Sequence, residues 1–239
     1  MNRPLAIAFT LLVASTAAQS QTQTQTQTLT QWNFNSVTPD ASTATGSLLP
    51  NLGSGLATLV GTTGSFASGV GSTDAAAIDN SGWGTSGYAT QGTGDRTRGV
   101  QFNFSTVGFN LIAVSWDQRL SNTAARSAQF QYSLNGTTFT DFGAVFSGSP
   151  GDTWFNNRSV DLSSVAGVGN NANFAFRVVA AFEPLTSAYA AGTNSSTYAT
   201  SGTWRFDQVS VTAVPEPGTY AIMLAGLAMI GFMAARRSR

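Results

Sequence analysis

The stretch AQFQYSLNGTTFTDFG, Ala128 to Gly143, decides how the rest of the chain is read. Phe130, Tyr132 and Leu134 alternate with Gln129, Gln131 and Ser133, the period of two expected of a strand with one apolar and one polar face. Asn135-Gly136 follows directly and TTFTDFG returns, so the spacing predicts a β-hairpin. Working outward, NLIAVSWDQR puts Ile112, Val114 and Trp116 on one face and Ala113, Ser115, Asp117 and Arg119 on the other. NFAFRVVA turns Phe174, Phe176 and Val178 inward and Arg177 outward. Further strands are predicted at WNFNS, GVQFNFST, FNNRSVDL and TWRFDQVSVTA, and no body segment carries a capped helical period. Many short strands joined by Gly, Asn and Ser predict an all-β fold, an antiparallel two-sheet sandwich, with the first and last strands side by side.

Composition narrows the chemistry. The chain has 239 residues, and 9 % are charged, about a third of the usual share. Four of the eleven arginines and one of the eleven acids lie at the ends, leaving the body ten acids against seven arginines. No basic stripe offers itself to a nucleic acid. With neither Cys nor His, thiol nucleophiles, Ser-His-Asp triads, haem ligation, zinc sites and disulfides are all excluded. An exported body of this kind must hold by packing alone.

Export is what the N-terminus predicts. MNRPLAIAFTLLVASTAAQS has the layout of a signal peptide over residues 1–18: Arg3, an apolar run from Leu5 to Val13, then small residues to Ala18. The Gln/Thr repeat that follows makes residues 19–28 a low-complexity leader, and the β-sandwich domain is read as residues 29–213. At the other end, residues 220–235 carry no charge and would form a helix of about 24 Å, just short of a bilayer core. Arg236, Arg237 and Arg239 follow and belong on the cytoplasmic side.

Pro215-Glu216-Pro217, the apolar span and the terminal arginines together resemble the PEP-CTERM sorting signal of exported bacterial proteins, here residues 214–239. The resemblance implies signal peptidase and an exosortase-type membrane protease as processing partners, membrane anchoring through the tail, and release to the cell surface or matrix among exopolysaccharide. SWDQRLSNTAARSAQFQYSLNGTTFTDFG, with DTWFNNRSVDL and NFAFRVVAAFE, resembles a recurring body type of such proteins. The sandwich is expected to resemble jelly-roll, lectin-like carbohydrate-binding modules, with an immunoglobulin-like sandwich as the alternative.

Candidate ligand contacts are Asp117, Arg119 and Arg177, which make one polar patch if their strands are neighbours, and the aromatics Trp83, Trp154, Tyr189 and Tyr198, which stand in loop-like contexts. GWGTSG matches G-x-G-x-x-G through Gly82, Gly84 and Gly87, but it lacks a flanking strand and helix and reads as a flexible loop exposing Trp83 and Tyr88. Trp116 and Trp204, in strands, are expected in the core. In TWRFDQVSVTA the apolar parity changes after Phe206, which predicts a bulge at Asp207-Gln208. Jelly-roll modules of the resembling type often hold a structural calcium near their terminal strands, so Asp207 is the candidate ligand, with help from Asn33 or Asn35. The resulting expectation is a non-catalytic binder or component of exopolysaccharide, with a ligand-free matrix protein and a two-carboxylate glycan hydrolase as alternatives.

Overall fold

Eleven strands form the body: β1 (Gln27–Trp32), β2 (Leu56–Val60), β3 (Thr63–Ser68), β4 (Ser81–Ser86), β5 (Gly99–Phe104), β6 (Phe109–Leu120), β7 (Ser127–Ser133), β8 (Thr140–Ser147), β9 (Thr153–Asp161), β10 (Phe174–Ala180) and β11 (Trp204–Pro215). The computed structural model describes residues 25–76 and 78–216, with Gly218 and Ile230. The signal peptide, the leader up to Thr24, Pro217, the arginines at 236, 237 and 239, and the apolar run 220–235 apart from Ile230 lie outside the described residues. Among the described residues no helix is long and apolar enough to cross a membrane.

The strands pair antiparallel into two sheets, as the alternation predicts. One is ordered β3-β4-β11-β6-β9, with β1 added to β11, and the other β2-β5-β10-β7-β8. All connections but β3–β4 and β7–β8 cross from sheet to sheet. β11 is the spine of the first sheet: Trp204 to Phe206 pair with β4, Val209 to Ala213 pair with β1, and the opposite edge pairs with β6. The expected neighbourhood of first and last strands is therefore present, with Trp32 opposite Val209.

Apolar alternation fills the space between the sheets. Ile112, Val114, Trp116, Phe174, Phe176, Val178 and Trp204 are all buried, as their parity requires. A line of rings joins the sheets: Trp83 packs edge-on to Phe102 at 6.1 Å, Phe102 stacks on Phe176 at 4.9 Å, Phe176 on Phe130 at 5.4 Å, and Phe130 on Trp116 at 5.9 Å. The Asn135-Gly136 hairpin forms, but with a longer loop than its turn signal predicts. Tyr132 pairs with Thr140, and Asn135 Oδ1 accepts from the N–H groups of Thr137 and Thr138 at 3.0 and 2.8 Å, an Asx-type turn.

Several strands differ from expectation: β2 and β3 are not among those predicted, and of WNFNS only Trp32 is in a strand, since β1 ends there. β1 begins at Gln27, so the leader's last residues already pair with Thr212 and Ala213. GWGTSG is not a loop: it makes up most of β4, and Trp83 and Tyr88 are each only 2 % exposed. Close approach also explains Gly99 in β5, since a Cβ there would overlap the backbone carbonyl of Val178 and crowd Val179 Cα at 2.8 Å. Main chain cannot yield as a side chain does. Gly99→Ala is expected to lower the unfolding free energy by about 2 kcal/mol, read by urea titration.

Candidate functional site

The outer face of the five-stranded sheet carries a polar row in register. Thr58 pairs with Gln101, Gln101 with Arg177, Arg177 with Gln131, and Gln131 with Asp141. These are the positions that alternate with the buried Phe102, Phe130 and Phe176. Hydrogen bonds fix the row: Arg177 Nε donates to Gln101 Oε1 at 2.7 Å, Gln101 Nε2 to Asn103 Oδ1 at 2.6 Å, and Gln131 Nε2 to Asp141 Oδ1 at 2.8 Å. Asp141 is ion-paired with Arg96. The Arg177 guanidinium lies 3.6 Å from the ring centroid of Phe139, and partial burial lowers its pKa. Among the described residues it has no carboxylate partner. Asn103 also opens onto a depression of ≈ 470 Å³ lined by Asn135, Thr137 and Asn173.

The patch expected from Asp117, Arg119 and Arg177 does not form, because β6 and β10 lie in different sheets. Strand parity gives a face and leaves the choice of sheet open. Arg119 pairs with Asp152 at 2.9 Å. Trp154 anchors the β3–β4 connection, donating from Nε1 to Val70 O at 2.9 Å. Trp83, expected in a loop, belongs to the core. Tyr189 and Tyr198 do meet, stacked at 4.7 Å beside a depression of ≈ 290 Å³ that includes Arg126. Their hydroxyls are spent on Gly94 O at 2.8 Å and Ala89 O at 2.6 Å, and burial raises both pKa values.

A second cluster lies on the outer side of the six-stranded sheet, where Asp207 of β11 pairs with Asp117 of β6. Both point outward, yet they are 0 % and 1 % exposed, because the β3–β4 connection roofs them. Ser72 Oγ donates to Asp207 Oδ2 at 2.7 Å, and Thr73 N and Oγ1 donate to Asp117 Oδ2 at 2.5 and 2.7 Å. The expected bulge is present: the β11–β6 register shifts after Asp207, and Gln208 has φ 46°. Asn35 donates to Asp74 Oδ2 at 2.7 Å and its Oδ1 accepts from Ser81 N at 2.8 Å, so it helps to frame the chamber; Asn33 serves Asn35 N.

Asn80 is the residue that sequence reading missed. It is 8 % exposed, its nitrogen donates to Asp74 O at 3.2 Å, and its Oδ1 receives no hydrogen bond. A Cβ on Gly69 would overlap that Oδ1 and lie 2.6 Å from Asp207 Oδ2, so two acceptor oxygens converge on one spot. Flipping the amide would only turn its oxygen onto Asp74 O. Burial, then repulsion from Asp74 and Asp117, pushes the Asp207 carboxyl up to about 8, against hydrogen bonds from Ser72 and Gln208 that pull it down. Among the described residues no three acidic side chains converge as a metal cage, so a hard cation here would take Asp207 Oδ2, Asn80 Oδ1 and hydroxyl or carbonyl oxygens of the roof. Such an all-oxygen set fits Ca²⁺. The two carboxylates are closed off from any polymer, which argues against a glycosidase pair at this place.

Residues 213–238 match the PEP-CTERM protein-sorting motif, so the chain carries the sorting signal of an exported protein. Among curated proteins none matches the chain. Among solved structures, the CBM22-1 xylan-binding domain of Xyn10C from Paenibacillus barcinonensis is similar at 10 % identity and TM-score 0.42, over 67 % of this chain and 86 % of that one. SGBP-B from a xyloglucan utilization locus of Bacteroides uniformis is 13 % identical, TM-score 0.36, over 68 % and 47 %. The K1 cleaved adhesin domain of Lys-gingipain from Porphyromonas gingivalis is 12 % identical, TM-score 0.35, over 78 % and 97 %. Likenesses this distant bear on neither ligand nor activity.

Proposed function

We propose that this protein, exported and sorted to the cell envelope, is a non-catalytic glycan-binding surface domain, and that the outer face of the five-stranded sheet makes the contact. One observation carries the reading: Arg177 lies half-exposed among Thr58, Gln101, Asn103 and Gln131, stacked on Phe139 and, among the described residues, without a carboxylate of its own. Amides and a hydroxyl in register suit sugar hydroxyls. A guanidinium with terminal nitrogens to spare suits a sugar carboxylate, which it can take with two parallel hydrogen bonds. The ligand class is therefore an acidic, uronate-bearing exopolysaccharide, held weakly per domain and more strongly by many surface copies. In the same reading Ca²⁺ in the Asp207–Asn80 chamber, on the other sheet, is structural.

Co-sedimentation of residues 25–216 with alginate and with dextran tests this. The expected result is saturable, salt-sensitive binding to alginate, and a loss of roughly tenfold with Arg177→Gln. Binding to neither polymer nor to the producing cell's own exopolysaccharide would overturn the reading and leave a matrix protein without a specific ligand. Release of reducing ends from any of them would make it a hydrolase.

A further inference from the structure

The sorting motif does not leave the body through a linker. β11 runs to Pro215, which pairs with Phe109, while Val214 pairs with Asn110. Glu216 continues on the same turn: its N–H donates to Gly108 O at 2.9 Å, and Asn110 Nδ2 donates to its Oε1 at 3.1 Å. Asn110 is itself confined, since a Cβ on Gly169 would overlap its Oδ1, and Asn170 N donates to Phe109 O at 2.8 Å. The first two residues of Pro-Glu-Pro are thus folded into the sandwich.

A protein that binds an extended segment by adding it as a strand does so through the segment's main-chain groups. From Val214 to Glu216 the chain is instead laid along β6 and its turn. We propose that the body holds its own sorting motif shut, and that the membrane processing enzyme acts only on the fraction of chains in which residues 214–216 have peeled away from Gly108–Asn110. The fold provides the break point: the β11–β6 ladder shifts register between Thr212 and Val214, so the end can open while Val211 and Ala213 stay buried. When such opening is fast relative to cleavage, the processing rate follows the open population.

Pulse-chase of the full chain, in a bacterium that carries the sorting system, reads this as the ratio of unprocessed to processed protein. Asn110→Ala removes the side-chain hold and is expected to speed processing about fivefold. The second test uses the absence of cysteine: Val214→Cys with Asn110→Cys places one pair at ladder partners, where a disulfide can close. The oxidised clamp is expected to stay unprocessed, and reductant to restore processing. Equal processing of the oxidised and reduced clamp overturns the proposal. So does an Asn110→Ala chain processed no faster than the original, which would mean that the docked tail is what the enzyme recognises.

Discussion

Trp83→Ala is expected to cost about 4 kcal/mol of unfolding free energy, near the top of the range for a buried aromatic truncated to alanine. Trp83 is 2 % exposed, lies 5.5 Å from Phe34 and 6.1 Å from Phe102, and starts the line of rings that runs to Trp116. Removing the indole leaves a void on β4 that the paired strands β3 and β11 cannot collapse into without losing their ladders. For a body of this size the melting temperature should fall by about 12 °C. Trp83→Phe, which keeps a ring there, should lose less than half as much. An alanine variant that melts with the original would place the indole in solvent and return GWGTSG to a loop.

Calcium is expected to have the other large effect. If the Asp207–Asn80 chamber holds Ca²⁺, residues 25–216 freed of metal by EDTA should gain about 3 kcal/mol when free Ca²⁺ stands about a hundredfold above its Kd. Scanning calorimetry would read this as a rise of about 9 °C. Asn80→Ala should abolish the rise, because it removes a buried side-chain oxygen that has no hydrogen-bond partner among the described residues, while leaving the Asp207 and Asp117 hydrogen bonds to the roof in place. Alginate binding on the opposite sheet should persist in EDTA. Identical melting with and without Ca²⁺ in the original protein would overturn the metal assignment.

The buried chamber and the polar row differ in how far the sequence announces them. Asp207 was legible because Trp204 and Phe206 share one parity and Val209 and Val211 the other, so a bulge had to intervene, and one does. Gln131 and Arg177 were legible as outward positions and GVQFNFST, with Gln101, as a strand, though not as one row, since alternation assigns a face and says nothing of the strand order β5-β10-β7. That same gap put Asp117 beside Arg177 in expectation and in separate sheets in fact. β4 was hidden by its glycines, which lower strand propensity. They are there for packing: a Cβ on Gly82 would meet Arg205 Cγ and Cδ at 2.9 Å, and one on Gly84 would meet Ser65 O at 3.2 Å. Asn80 had no local signal at all, because its orphaned oxygen exists only once the roof, β4 and β11 have come together.

Among the described residues, the spine of the six-stranded sheet is also the last strand in chain order. Until Trp204 to Pro215 emerge, β4 and β1 have no edge to share and β6 is paired only with β9. Trp32, Trp83 and Trp116 then belong to a half-built sheet with no centre, and contacts of such long sequence separation form slowly. Because the keystone strand runs into the sorting motif, closure of the six-stranded sheet waits until nearly the whole body has been synthesised.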